Sequence, residues 1–216
     1  MIVSILDALT IFHRCQGLDL EKLANKKRFI FVDGLTSLFL PAMSSKAPST
    51  STPSSANPRP ADIAQIREDI KSSIHALQGK EEQNNPVLII DGLDLVLATF
   101  ATADPVSLSS MVLDLCENVH TTILCLASDE PFVHQQRTPL EINQASFLLS
   151  MAHMADLLIS LRGLGTGCAR DVSGVLRISR RCTSIHINEG GKEEDGRELL
   201  YHVSGDGVVK VFERGE

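Results

Sequence analysis

The chain is 216 residues long, 43% apolar, and carries a formal charge of -7. That length predicts one sizeable domain that buries roughly 70% of its unfolded surface. The acidic balance argues against a non-specific nucleic-acid coat while leaving room for a local basic patch, and with one tyrosine, no tryptophan and eight phenylalanines set mostly in apolar runs a stacking platform for bases is not expected.

The stretch MIVSILDALTIFHRC has no basic leading region and contains Asp7, so it reads as a core element rather than a signal peptide. Within residues 3–15 the spacing of Ile5, Leu6, Leu9 and Phe12 is helical, and residues 18–23 read as a short helix or turn. Residues 28–36 are predicted as a buried strand ending at Asp33-Gly34, because an unbroken apolar run suits a parallel strand covered on both faces. Residues 41–60 hold five prolines and six serines. They are expected to be a disordered insert, whose hydroxyls would permit phosphorylation.

Residues 61–79 form an amphipathic helix with Ile63, Ile66, Ile70, Ile74 and Leu77 on one face. A second buried strand stops at Asp91-Gly92, and a helix over 106–119 starts behind Asp104-Pro105. Residues 121–129 read as a third buried strand and 128–139 as a polar loop with His134 and Arg137. A helix over 140–154 is expected to turn Ile142, Ala145, Leu148, Leu149 and Ala152 inward. Strands at 157–161 and 175–178 flank a Gly-rich turn, 188–197 is a charged flexible loop, and a last hairpin over 199–212 turns at 204–207. This order predicts a single α/β domain over 1–216, its parallel sheet extended by antiparallel strands at one edge. The echo between FVDGL and IIDGL marks two equivalent strand ends, not a repeat.

Residues 162–181, RGLGTGCARDVSGVLRISRR, carry the most chemistry. Arg162, Arg170, Arg177, Arg180 and Arg181 face one acid, Asp171. Such a loop can present guanidinium forks to phosphate or carboxylate; the competing reading is a hairpin edge whose charges keep other strands away. Asp91 ends an apolar strand where nucleotide triphosphatases place the magnesium-positioning aspartate, yet Asp-Gly is also ordinary turn chemistry, and Asp33 has the same look. The phosphate cradle is missing: Gly79-Lys80 and Gly191-Lys192 are each followed by Glu, and neither has the earlier glycine that a P-loop needs. No GxSxG, HExxH or helix-opening GxGxxG occurs. The five cysteines are scattered, without a CxxC pair, and the seven histidines are dispersed, so no metal site is expected. No stretch is long and apolar enough to span a bilayer.

The segments FVDGLTSLF, LIIDGLDLVLA, PLEINQASFLLSMAHMAD, RGLGTGCARDVSGVLRISR and GVVKVFERG together resemble the Elongator complex protein 6 family. The resemblance implies a RecA-like, P-loop NTPase-type fold that has lost its ATPase motifs, and a subunit with no catalytic residue and no cofactor. It implies a heterohexameric ring with the fourth and fifth Elongator subunits, which binds tRNA and joins the catalytic subcomplex that modifies wobble uridine, in cytoplasm and nucleus. The alternative, an active RecA-like ATPase or recombination mediator, requires the absent Gly-Lys-Ser/Thr step. Compared with a RecA-like chain, the sequence starts about one strand–loop–helix unit late, which is expected to expose the sheet edge beside residues 30–32. The resemblance also sets Arg137 near a pore loop as a candidate RNA contact. It makes Arg162, Arg170, Arg180 and Arg181 candidates for RNA or a neighbouring subunit. The subunit is favoured, since an acidic chain gains more from a specific salt-bridged interface than from a weak phosphate patch. Asp91 becomes a degenerate Walker-B-like position.

Overall fold

The computed structural model describes residues 2–4, 20–33, 63–78, 85–100, 103–129, 134–165, 167, 169, 171–180, 197–205 and 207–213. The Pro/Ser-rich insert and residues 188–196 lie outside these. The chain divides into two compact units, one of residues 1–13 and 19–148, the other of residues 14–18 and 149–216.

The first unit is built on a parallel sheet. Its strands are β1 (Ile2–Ser4), β2 (Phe31–Asp33), β3 (Val87–Asp91) and β4 (Thr121–Cys125), in the spatial order β2-β1-β3-β4. The helical reading of residues 3–15 is corrected at its start: β-branched Ile2 and Val3 pair on both sides, with Phe31 and Val32 and with Ile89 and Ile90. Here pairing on two edges overrides a helical spacing that begins only at Ile5. The register also makes the two Asp-Gly steps equivalent, for Ser4 lies opposite both Asp33 and Asp91.

Among the described residues the two faces of this sheet are unequally buried. On β3, Leu88 and Ile90 are fully buried, while Val87 and Ile89 are not. The expectation that all these strands are covered on both faces therefore fails. β2 and β4 are the outer strands, and Phe31 and Ile123 are 44% and 47% exposed. An unbroken apolar run reports affinity for an interior, not which neighbours are present to supply one.

Among the described residues, the helices that belong wholly to this unit are α1 (Leu20–Asn25), α2 (Ile63–Gln78), α3 (Leu95–Thr99) and α4 (Pro105–Cys116). Ile66, Ile70 and Ile74 of α2 are buried at helical spacing, as are Leu108, Met111, Val112 and Leu115 of α4. The two helices pack together and run in the same direction. Lys71 Nζ lies 2.6 Å from an Asp114 carboxylate oxygen, and at the far ends the Gln78 amide donates to Asn118 O at 2.9 Å. Asp104 caps α4, accepting the amides of Val106 and Ser107 at 2.9 Å each, with Pro105 inside the first turn. The short α3 is absent from the sequence reading; its five residues, LVLAT, continue the apolar run after Asp91, and local pattern gives no helical signal over so short a span.

Helix α5 (Pro139–Met154) straddles the boundary between the units. Thr138 and Glu141 form a capping box: Glu141 accepts the amides of Arg137 and Thr138 at 2.7 and 3.0 Å, and the Glu141 amide points back to Thr138 Oγ1 at 3.3 Å. The predicted inward face holds at Ala145 and is corrected at Ile142 and Leu149. Ile142 and Leu149 are exposed, and Ala145, Phe147 and Met151 are the buried residues. Apolar residues nearly encircle this helix, so periodicity alone cannot choose its buried side.

The second unit holds an antiparallel sheet with strands β5 (Leu157–Arg162), β6 (Gly174–Arg180), β7 (Arg197–Val203) and β8 (Val209–Phe212), in sequence order. The expected single extended sheet is thus two separately paired sheets of four strands among the described residues. The last hairpin turns where expected: Gly207 N–H donates to Ser204 O at 2.8 Å, and the Gly207 φ of 81° suits a glycine. Gly174 faces Tyr201 across the sheet.

Candidate functional site

Two places collect the residues singled out by the sequence: the carboxyl ends of β3 and β4, and the antiparallel sheet. At the first, Asp91 closes β3 and the chain reverses through Gly92, whose φ is 71° and whose amide donates to Cys125 O at 3.2 Å. α3 begins three residues later. The turn sets Asp91, Asp94 and Cys125 together. Burial pushes the Asp94 carboxyl up, the amides of Asp94 and Ala127 pull it back, and the negative charge of Asp91 adds to the rise. Burial, reinforced by Asp91, also pushes up the Cys125 thiol. Burial first, and the charge of Asp91 after it, therefore disfavour further negative charge at this turn. Among the described residues no group of three or more His, Cys, Asp or Glu is placed to hold a metal ion. Neither Asp94 nor Cys125 stands out in the sequence; the turn after Asp91 places Asp94 beside it, and the register of β3 with β4 brings Cys125 opposite.

The arginines do not form one cluster. In the β5–β6 pairing, Leu157 lies opposite Arg180 and Arg162 opposite Val175. Arg162 and Arg180 are thus five residue steps apart along the ribbon, about 17 Å at the rise of a strand, and they lie on opposite faces of the sheet. Arg162 shares its face with Arg177 and Glu198, and its guanidinium lies 3.2 Å from Glu198 Oε1. Both side chains are largely exposed, which holds such a pair to about 0–1 kcal/mol. It is a weak clasp that a partner's carboxylate or phosphate can replace. Arg180, at the end of β6, stands on the face of Leu157, Ile159 and Leu161. Arg137 is exposed just before α5, its backbone tied to Glu141. Arg170 and Arg181 lie outside the described residues. Sequence reading missed the companionship of Arg177 and Glu198 with Arg162, because it depends on strand register.

The face that carries Arg180 also carries Arg197, opposite Ile178, and is mostly apolar between them. From β5 to β8 it presents Leu157, Ile159, Leu161, Leu176, Ile178, Leu199, Tyr201, Val209 and Val211, none of them fully buried. A separate cleft of about 700 Å³ lies between the first turns of α2 and α4, lined by Arg67, Ser107 and Ser110 among others. Arg67 is already engaged there, 3.3 Å from Glu68 and 4.0 Å from Asp114. No helix among the described residues is long and apolar enough to cross a membrane.

The family model described as Elongation complex protein 6 matches residues 2–203. The chain belongs to this family. It is 29% identical over 214 residues to the Elongator complex protein 6 homolog of Schizosaccharomyces pombe (strain 972 / ATCC 24843), covering 98% of this chain and 76% of that protein. It is 28% identical over 138 residues to Elongator complex protein 6 of Xenopus laevis, covering 60% of this chain and 46% of that one. The family match runs through both units, including β5, β6 and the arginine segment between them.

Proposed function

We propose that the chain is a non-catalytic, RecA-like subunit of the Elongator complex, one member of a heterohexameric ring with the fourth and fifth subunits. In this reading the ring binds tRNA and supports modification of wobble uridine by the catalytic subcomplex, in the cytoplasm and nucleus. The observation that carries it is the family match over residues 2–203. Two physical features support it. The sequence has no Gly-Lys-Ser/Thr phosphate cradle, so Asp91 stands at a Walker-B-like strand end without a partner motif in these residues. The antiparallel sheet offers surface suited to assembly: an apolar face beside charged groups such as Arg180 and the loosely paired Arg162.

Within this reading Arg162 and Arg180, with Arg170 and Arg181, serve neighbouring subunits, and Arg137 is the RNA contact. The separation of Arg162 from Arg180 favours the division, since a phosphate patch needs its cations side by side whereas an interface can use them at opposite rims. The test is co-expression with the fourth and fifth Elongator subunits, followed by the mass of the purified complex and its tRNA affinity across a salt series. A heterohexamer mass containing this chain, with salt-dependent tRNA binding, is expected. Failure to co-purify overturns the ring. A ring whose tRNA affinity is unaffected by Arg137→Ala overturns the RNA role of that residue.

A further inference from the structure

We propose that Thr138 is a phosphorylation site for a proline-directed protein kinase, and that its phosphate switches off the cationic surface at the start of α5. The site rests on the residues around Thr138. Its effect on RNA rests on the reading of Arg137 as the RNA contact.

Thr138 has the properties of a phosphate acceptor. It is exposed, as are Arg137 and Pro139 on either side. Residues 134–138 lie in neither a helix nor a strand, so an enzyme can draw this segment into its own cleft without opening the core. The Thr138 hydroxyl accepts the Glu141 amide at 3.3 Å, a long bond that a turn of the side chain releases. Pro139 follows at once. Proline has no backbone N–H. A kinase pocket that offers no acceptor at that position therefore takes proline and rejects other residues, which would bury an unpaired donor there. The sequence has two Thr-Pro steps, Thr52-Pro53 and Thr138-Pro139, and no Ser-Pro step. Thr138 is the one that falls within the described residues.

Transfer forms a bond from Thr138 Oγ1 to the γ-phosphorus of ATP and breaks the bond from that phosphorus to the bridging oxygen, so ADP leaves. The hydroxyl proton passes to a carboxylate of the kinase. The fold tolerates the product. The amides of Arg137 and Thr138 donate to Glu141 and, with that of Arg137 first, hold its carboxyl below the usual range, so this segment already favours an anion. A phosphate can take over those amides while Glu141 turns to solvent, and it adds a charge of about -1.5 to -2 at pH 7. Within residues 134–141, Arg137 and Glu141 cancel before modification. Afterwards the segment is anionic and repels a phosphate backbone.

The test begins with the full chain, ATP and a cyclin-dependent kinase, read by peptide mass spectrometry. Phosphate is expected on Thr138 in most molecules and absent from position 138 in Thr138→Asn, which keeps an oxygen at the cap but has no hydroxyl to accept the group. Thr52 reports that the enzyme is active, and phosphate on Thr52 with none on Thr138 overturns the site. The modified chain is then assembled with the fourth and fifth Elongator subunits. Its tRNA binding should weaken by about tenfold and the salt slope should fall by about 0.9, the loss of one phosphate contact, with the mass of the complex otherwise unchanged. A ring that binds tRNA equally well with and without the phosphate overturns the switch. An unmodified ring that does not bind tRNA overturns the RNA reading and the switch with it, a failure distinct from a Thr138 that takes no phosphate. If the modified chain no longer assembles, this surface serves assembly and its role as an RNA switch is overturned.

Discussion

Replacing Gly174 with alanine tests the antiparallel sheet at its tightest point. Gly174 opens β6 opposite Tyr201. A Cβ built on it would sit 2.4 Å from the carbonyl oxygen of Arg162 and 2.8 Å from both Cε1 and Oη of Tyr201. Against a C···O contact of about 3.3 Å, the first overlap is about 0.9 Å, and the ring carbon is about 0.7 Å too close. The tyrosine can rotate away at the cost of its packing. The carbonyl cannot, for it belongs to the backbone of β5, so relief requires β5 and β6 to separate. Overpacking costs about 1–3 kcal/mol, and a backbone clash takes the upper end. A loss of about 3 kcal/mol lowers the folded-to-unfolded ratio of this unit about 150-fold.

The assay is a urea titration followed by tyrosine fluorescence. Tyr201 is the sole tyrosine and the chain lacks tryptophan, so the emission reports this site alone. Gly174→Ala should lower the unfolding midpoint and change Tyr201 emission even before unfolding. Gly163→Ala and Gly165→Ala serve as controls, since nothing lies within 4 Å of a Cβ at either; both should stay within about 0.5 kcal/mol of the parent. A Gly174→Ala chain with the parent's midpoint and emission would refute the close approach of β5, β6 and Tyr201.

Four further expectations concern other residues. Ile70 is fully buried between α2 and its neighbours, so Ile70→Ala should cost about 2–5 kcal/mol, read from urea unfolding by far-ultraviolet circular dichroism. The Asp104 carboxyl is held below its ordinary value of 3.8, first by the Ser107 hydroxyl and then by backbone amides of the α4 cap. A depressed carboxyl stabilises the fold above its unfolded pKa and loses that contribution as pH falls through the folded one. The gap between parent and Asp104→Ala should therefore be full at neutral pH and close below about pH 3.8. Asp94 carries the opposite sign: burial raises its pKa, so its penalty is absent in acid and sets in as pH rises past 3.8. Asp94→Asn should stabilise the first unit at neutral pH and not at pH 3. Arg162→Ala should change stability by less than about 1 kcal/mol, because its bridge to Glu198 is exposed; a large loss of stability would assign it a structural rather than an interface role.

Much of the architecture is legible in the residues because it depends on neighbours in sequence. The helix over Ile63–Gln78 follows from isoleucines at 66, 70 and 74, and α4 from Asp104-Pro105. The hairpins follow from apolar runs broken by glycine. The arginine segment is visible as composition, and its family resemblance agrees with the match over residues 2–203. In each case the signal acts within a turn or two of chain, where capping, spacing and turn chemistry operate.

The remainder depended on pairing across the chain. Composition gives Ile2–Ser4 no reason to be a strand; its position between β2 and β3 does. Apolar runs at β4 and β5 announce interior strands, yet among the described residues both stand at outer edges, because burial needs a neighbour that local sequence cannot name. Five arginines look like one patch within twenty residues of text, and register then parts Arg162 from Arg180 by the length of a strand and the thickness of a sheet. Local chemistry is written in the order of residues. Which side chains meet is set by long-range strand pairing, where a one-residue shift moves every side chain to the other face.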